Sequence, residues 1–287
     1  MPSSNSFFLQ TFPTIIGMIH FSALEGCSDF EGREIVRARA IEDLQVLQAQ
    51  GIDAVLFENN FDTPKQARLP ERAAQHFREL VAELAPITHV PWGICALWND
   101  YDLGFELCSK YGGQAVRIPV FTDSVDTTYG RFLADPSAVI TSREHHQAEE
   151  VLILADVQVK HAQLVAPRSF AESFEDTIQL GADGAIITGQ WTGDPPSVEQ
   201  CRAAQLQNQN RVHLLTGSGM TTDNISSFLP FLDGCIVGSA FKEGSLDLQH
   251  RQGPNIVEPA RRYDPVKIRR FLDTVKKAEN KDFPRAS

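Results

Sequence analysis

No run of apolar residues in this chain is more than a few residues long, which excludes a helix of bilayer-spanning length. Cysteine is sparse and badly placed for cross-linking. The five cysteines, at positions 27, 95, 108, 201 and 235, are odd in number and form no CxxC pair. That argues against a disulfide framework or a zinc cluster and for a reducing compartment. The opening stretch MPSSNSFFLQTFP has neither a basic segment nor a long apolar one, so no secretory signal is expected and a cytoplasmic location is the simplest expectation. Positive charge is the minority sign, with 26 Lys and Arg against 37 Asp and Glu and a net charge of −11. No basic stripe with interleaved aromatics is present, which argues against nucleic acid and against tight binding to an anionic membrane. The glycine fingerprint of dinucleotide-binding sheets is also missing, because the loop after the first β-like run reads HFSALEG.

What the sequence does have is alternation. Of its 287 residues 42% are apolar, enough for a large core. Short β-like runs near 14–20, 52–59, 91–97, 113–120, 151–158, 183–189, 211–217 and 233–238 are each followed by a helix or a helical turn, and a last helix is expected over 264–279. Eight such units predict a (β/α)8 TIM barrel occupying 1–287 as one domain, with near-continuous apolar strands suited to a parallel sheet covered by helices. A doubly wound open sheet is the runner-up. In the first helix Ile35, Ala38, Ile41, Leu44 and Leu47 mark the expected buried stripe, and Gly51 follows its end. The stretch FTDSVDTTYGRFLADP, 121–136, is the longest loop expected in the body, of the kind that forms a lid or a binding element. Ser197 and Gln200 suggest a capping box, and Asp264 with Pro265 opens the final helix.

In such a barrel the chemistry gathers at the C-terminal ends of the strands. His20, Glu58 with Asn59, Arg117, Asp156, Lys160, His161 and Gly189 fall there, followed by Thr192 and Gly193 in the exit loop of the sixth strand. Trp98 and Trp191 are aromatics able to plug the rim or to stack on a ligand. Strand alternation puts Leu152, Leu154, Asp156, Gln158 and Lys160 on one face, and His161 on the opposite one. A charged Asp and Lys on a barrel strand are costly unless they look into a polar mouth. By the same parity His20 shares a face with Ile16 and Met18, and Glu58 with Ala54 and Leu56.

Strands seven and eight both stop in Gly-Ser, at Gly217-Ser218-Gly219 and Gly238-Ser239. Residues without bulk let backbone N–H groups approach a ligand, and a helix expected to begin near 221–223 adds positive dipole character. Loops seven and eight of a barrel often hold a phosphate, so these two turns are expected to cradle a phosphate or a similar anion. The bland reading is a tight turn with an N-cap.

The segments IIGMIHFSALEG, GIDAVLFENNFDTP, ADVQVKHA, GADGAIITGQWTG and GSGMTTDNI…DGCIVGSAFKEG resemble, in the same order, the BtpA/SgcQ family over about residues 12–277. The resemblance implies a barrel similar to ribulose-phosphate-binding barrels. It carries over His20, Glu58, Asn59, Asp62, Pro64, Asp156, Lys160, His161, Gly189, Thr192, Gly193, Gly217, Ser218, Gly219, Gly238 and Ser239, with Arg117 recognisable. One branch is named for photosystem I accumulation and another for a bacterial sugar-utilisation cluster, so the resemblance supplies no settled reaction. The sequence departs from the family at VRIPVFTDSVDTTYG and at LQHRQGPNIVEPARRYDP, before the last helix.

These residues suit an enzyme acting on a small phosphorylated metabolite such as a sugar or ribosyl phosphate, with isomerase, lyase and glycosyl-phosphate cleavage all open. Lys160 would stabilise an oxyanion or form a Schiff base, Asp156 or Glu58 would be a general base, and His20 or His161 a proton donor. Asn59, Arg117, Gly189, Thr192 and Gly193 would contact substrate. Two alternatives stand beside it. One is a metal-dependent hydrolase using a divalent metal on His20, Glu58, Asp156 and His161, although no metal-ligand spacing is present. The other is a non-catalytic assembly factor for a membrane complex, peripherally associated and working with a protein partner. Barrels also commonly form homo-oligomers.

Overall fold

The segment Thr14–His20 (β1) is rich in β-branched residues and buried on both faces, as expected of a strand lying between an inner and an outer apolar layer. The computed structural model describes residues 9, 11–191, 193–244 and 259–279. Seven further strands repeat the pattern: Ala54–Glu58 (β2), Trp92–Cys95 (β3), Ala115–Ile118 (β4), Leu152–Val157 (β5), Gly184–Ile187 (β6), His213–Thr216 (β7) and Gly234–Val237 (β8). All pair in parallel, and β8 closes onto β1, giving a (β/α)8 barrel. The expected strand regions are all occupied, by strands mostly a few residues shorter.

Alternation divides the core in two. Ile16, Met18, Ala54, Leu56, Ala115, Leu152, Leu154, Ile186, Leu215 and Ile236 fill the barrel interior. The opposite strand faces, with Ile15, Ile19, Val55, Phe57, Ile153 and Ile187 among them, join the larger layer beneath the helices. Those helices are Arg33–Ala49 (α1), Glu71–Leu84 (α2), Tyr101–Tyr111 (α3), Pro136–His145 (α4), Phe170–Gln179 (α5), Val198–Asn208 (α6), Ile225–Phe228 (α7) and Pro265–Glu279 (α8). Gly17 allows α1 to approach, since a Cβ there would lie 2.8 Å from Leu47 Cδ1.

Local capping follows the sequence in part. Ser197 accepts the Gln200 N–H, and Asp264 accepts the Val266 N–H. A reciprocal capping box forms at Ser169 and Glu172 as well. The stripe expected on α1 is corrected. Ile35 is exposed and Ala38 faces solvent, while Val36, Ala40, Leu44 and Leu47 are buried together with Asp43. A strict three-residue spacing falls short of a full 3.6-residue turn, so it precesses around the helix, starting off the core face at Ile35 and Ala38 and reaching it at Leu44 and Leu47.

The long segment after β4 does not stay a loop. Val125–Thr127 and Gly130–Phe132 pair antiparallel, and Gln163–Leu164 adds a third strand from the loop after β5. This small sheet contributes to an apolar cluster of its own, in which Val120, Val125 and Phe132 meet Trp98 and Val159. Its position ties the loops after β3, β4 and β5 together at the C-terminal rim. Among the described residues no helix is long and apolar enough to cross a membrane.

Candidate functional site

His20 and Glu58 are the last residues of β1 and β2 and sit in register beside each other. His20 Nε2 lies 3.3 Å from Glu58 Oε2. Two strands further on, Arg117 of β4 reaches across to Asp156 of β5 with two bonds, Nε to Oδ1 and Nη2 to Oδ2, both 2.9 Å. Its remaining nitrogen stands 3.8 Å from Glu58 Oε1. Parallel pairing with inward parity is what collects these four polar side chains above the apolar barrel interior.

One cavity opens over this cluster. His20, Glu58, Arg117, Asp156, Lys160 and His161 line it, and so do Gly193, Gly217, Ser218, Gly219, Gly238 and Ser239. The two Gly-Ser bends therefore face the same space as the charged groups. Two expected contact residues do not line the cavity. Asn59 is buried behind the wall, where its amide donates to Asp62 and to the Leu97 carbonyl and accepts from the Leu97 N–H, which fixes the loop after β2 to the loop after β3. Gly189 packs against the next turn, where a Cβ would meet Asp194 O at 2.4 Å. Thr192 lies outside the described residues. Trp98 lines the cavity, whereas Trp191 is half exposed.

Parity fails beyond β5. The strand ends at Val157 and the backbone turns to positive φ at Gln158 and again at His161. The Gln158 amide consequently turns outward to the Ser173 hydroxyl, while Lys160 and His161 both line the cavity. Alternation holds only while φ and ψ stay extended, so it could not separate these neighbours.

The bends also differ from expectation in detail. The Ser218 hydroxyl donates to Asp194 O at 2.8 Å and accepts the Gly189 N–H at 3.3 Å, so it fastens the exit loop of β6. The bareness of Gly219 serves the same packing: its φ is +73° and a Cβ would lie 2.0 Å from Pro195 N. α7 begins at Ile225 and has a single turn, because Asn224 caps a preceding turn by accepting the Thr221 N–H and donating to Gly219 O. The amides of Ser218, Gly219, Met220, Ser239 and Ala240 meet no hydrogen-bond acceptor among the described residues. All five residues line the cavity.

Charge coupling sets the protonation states. Burial acts to raise the Glu58 carboxyl, but the hydrogen bond and charge of His20, with Arg117 and Lys160 nearby, hold it down at about 2. Lys160 keeps part of its surface open to the cavity. Desolvation and the neighbouring Arg117 lower its ammonium to about 8, against the opposing pull of Glu58 and Asp156. Burial opposes the charge on Arg117, and the Asp156 pair more than restores it. Burial and Glu58 push the Cys95 thiol well above its ordinary range, so it is no thiolate nucleophile.

Two cavity-lining cations escaped the sequence reading, Lys65 and Lys242. Lys65 falls in an aperiodic loop and carries no motif. Lys242 ends the SAFK turn after the second bend, where it pairs with Asp43 of α1 at 2.6 Å. Among the described residues no three His, Cys, Asp or Glu side chains are grouped to hold a metal ion. His20 is bonded to Glu58 and Asp156 is clamped by Arg117.

The chain is similar to known proteins over most of its length. The Photosystem I biogenesis protein BtpA of a Synechocystis strain is 30% identical over 272 residues, covering 93% of this chain and 90% of that protein. The putative sgc region protein SgcQ of Escherichia coli is 24% identical, covering 82% and 88%. Among solved structures, N-(5'-phosphoribosyl)anthranilate isomerase from Pyrococcus furiosus superposes with a TM-score of 0.53 at 12% identity, covering 92% of this chain and 98% of that one, a likeness of fold. The family model for the BtpA family matches residues 11–261, which hold α1 to α7, every barrel strand named above and the residues lining the cavity just described. This chain belongs to the BtpA family.

Proposed function

We propose that this barrel is an enzyme that binds a small phosphorylated metabolite and acts on it through Lys160 and the His20–Glu58 pair. The observation that carries the reading is the sharing of one cavity. Backbone amides of the β7 and β8 bends, five of them without a partner among the described residues, face the same space as the His20, Glu58, Arg117 and Asp156 cluster built on β1, β2, β4 and β5. Amides held by rigid turns suit a phosphate, whose charge and multiple acceptor oxygens need several donors at once. The Ser218 hydroxyl, already committed to Asp194 and Gly189, leaves this work to main-chain groups and Ser239.

Lys160 makes no hydrogen bond or ion pair among the described residues and has a lowered pKa, about 8. As a free amine it can attack a substrate carbonyl; as an ammonium it can stabilise an enolate or alkoxide oxygen. His20, oriented by Glu58, can carry a proton to or from the reacting carbon or oxygen. Asp156 is fully committed to Arg117 and serves to hold that guanidinium over the cavity, which makes Glu58 with His20 the better acid–base candidate.

A screen of sugar phosphates and their unphosphorylated counterparts by thermal shift tests the reading. Phosphorylated compounds should raise Tm, and Ser239→Asp should remove that response while leaving the unliganded Tm within a few degrees. Uniform indifference to phosphorylated compounds would sink it. A second reading, an assembly factor without catalysis, is favoured by the name of the Synechocystis relative, and it would be supported by such indifference together with stable co-purification of one protein partner.

A further inference from the structure

Three Lys or Arg side chains are buried to similar depth among the described residues: Lys65, Arg117 and Lys242, at 5–7% exposure. Two of them meet a carboxylate, Arg117 with Asp156 at 2.9 Å and Lys242 with Asp43 at 2.6 Å. Lys65 does not. It donates one bond, to the Asn60 carbonyl at 2.6 Å, and makes no ion pair among the described residues. An ammonium has three donors and loses its hydration on burial, so a buried one without a counter-charge is costly. Burial accordingly drives its pKa down, with Glu58 and Asp62 pulling the other way.

The carboxylates near Lys65 are engaged elsewhere. Asp62 accepts the Leu24 N–H and the Asn59 amide, and Glu58 bonds His20. Nor is Lys65 on a loose loop. Residues 59–69 are fastened on both flanks, to the loop after β1 through Leu24–Asp62 and Ser28–Thr63, and to the loop after β3 through Trp98–Gln66, Asn99–Ala67 and Leu69–Asp100. The chain thus holds a desolvated cation at the cavity wall with two donors left over. The missing partner is an anion that arrives with the ligand.

Its location fixes where that anion lies. Around the barrel, β1 separates β2 from β8. A ligand anchored at the β8 bend and reaching Lys65, beyond β2, passes His20 at the end of β1 and its partner Glu58. We infer that Lys65 forms a second anion subsite, so that the metabolite carries another acidic group, a carboxylate or a second phosphate, besides the phosphate at the β7 and β8 bends. This rests on the phosphate reading of those bends and adds a substrate class to it: phosphorylated acids or bisphosphates, with the reacting centre between the two charged ends.

Calorimetric titration with matched probes tests the assignment. Glycerol 3-phosphate is compared with 3-phosphoglycerate, and fructose 6-phosphate with fructose 1,6-bisphosphate. In the unmodified protein one member of the doubly anionic set should bind at least roughly tenfold more tightly than its singly anionic counterpart. The first pair reads a carboxylate and the second a phosphate. Lys65→Met should abolish the margin and Lys65→Arg should keep part of it, while either variant still binds the singly anionic probe. Equal binding within both pairs overturns the second subsite and leaves the phosphate reading standing. Equal loss of both members in Lys65→Met also overturns it, because Lys65 would then hold the only anion or merely brace the loop. If neither inorganic phosphate nor any probe binds, the reading of the bends falls and the subsite falls with it. Were Lys65→Met not to fold, the comparison in the unmodified protein and Lys65→Arg still decides.

Discussion

Arg117 and Asp156 face each other from adjacent strands and share two parallel hydrogen bonds of equal length, with the Asp156 side chain wholly removed from solvent. Geometry of this kind is worth most as a positioning device, because each group is costly without the other. Arg117→Met should strand a buried carboxylate and destabilise the fold by about 3–5 kcal/mol. Urea unfolding of the variant beside the parent measures it, and a loss under about 1 kcal/mol would show that the pair is solvated and incidental.

Glu58 makes the site acid-labile. Its carboxyl is held at about 2 in the folded protein, below the ordinary range near 4.5. A carboxyl with a depressed folded pKa contributes stability that is fully present above the unfolded value and is lost as pH falls through the folded one. The window is therefore about pH 4.5 down to 2, and the contribution is on the order of 3 kcal/mol. His20→Ala removes the main opposing influence, so the acid unfolding midpoint should move upward. An unchanged midpoint would mean that Glu58 draws little from His20.

Lys160 should matter to ligand and not to fold. It makes no hydrogen bond or ion pair among the described residues, so Lys160→Ala should remove turnover or ligand response while Tm stays within a few degrees. A step that needs the free amine should accelerate as pH rises through about 8, since the neutral fraction grows there. Unfolding of Lys160→Ala at ordinary temperature would reassign Lys160 to structure.

Gly219 is the most constrained position of the β7 bend. Alanine there would need both a left-handed backbone and room already filled by Asp194 and Pro195. Gly219→Ala should cost about 3 kcal/mol, from the unfavourable φ and from overpacking together. Thermal unfolding reads this directly, and a change below about 1 kcal/mol would show that the exit loop of β6 yields freely.

The sequence by itself determined the barrel, its strand order along the chain, and most of the residues at its mouth. Apolar runs of strand length alternating with helical periodicity leave few other ways to bury both faces of eight strands. His20, Glu58, Arg117 and Asp156 were legible because each lies in or at the end of a strand, where period-two alternation dictates the face.

Only the tertiary structure decided what alternation could not carry. Past Val157 the backbone leaves the extended region, so the sides taken by Gln158 and His161 depend on positive φ at those two residues. The buried stripe of α1, and the pairing of its Asp43 with Lys242, depend on a contact between residues 199 apart in sequence. Lys65 reaches the cavity through a loop fastened to neighbours on both sides, a placement with no period to betray it. Local pattern reports a residue's face within a regular element; where loops meet, position is set by long-range contacts that only the folded chain brings together.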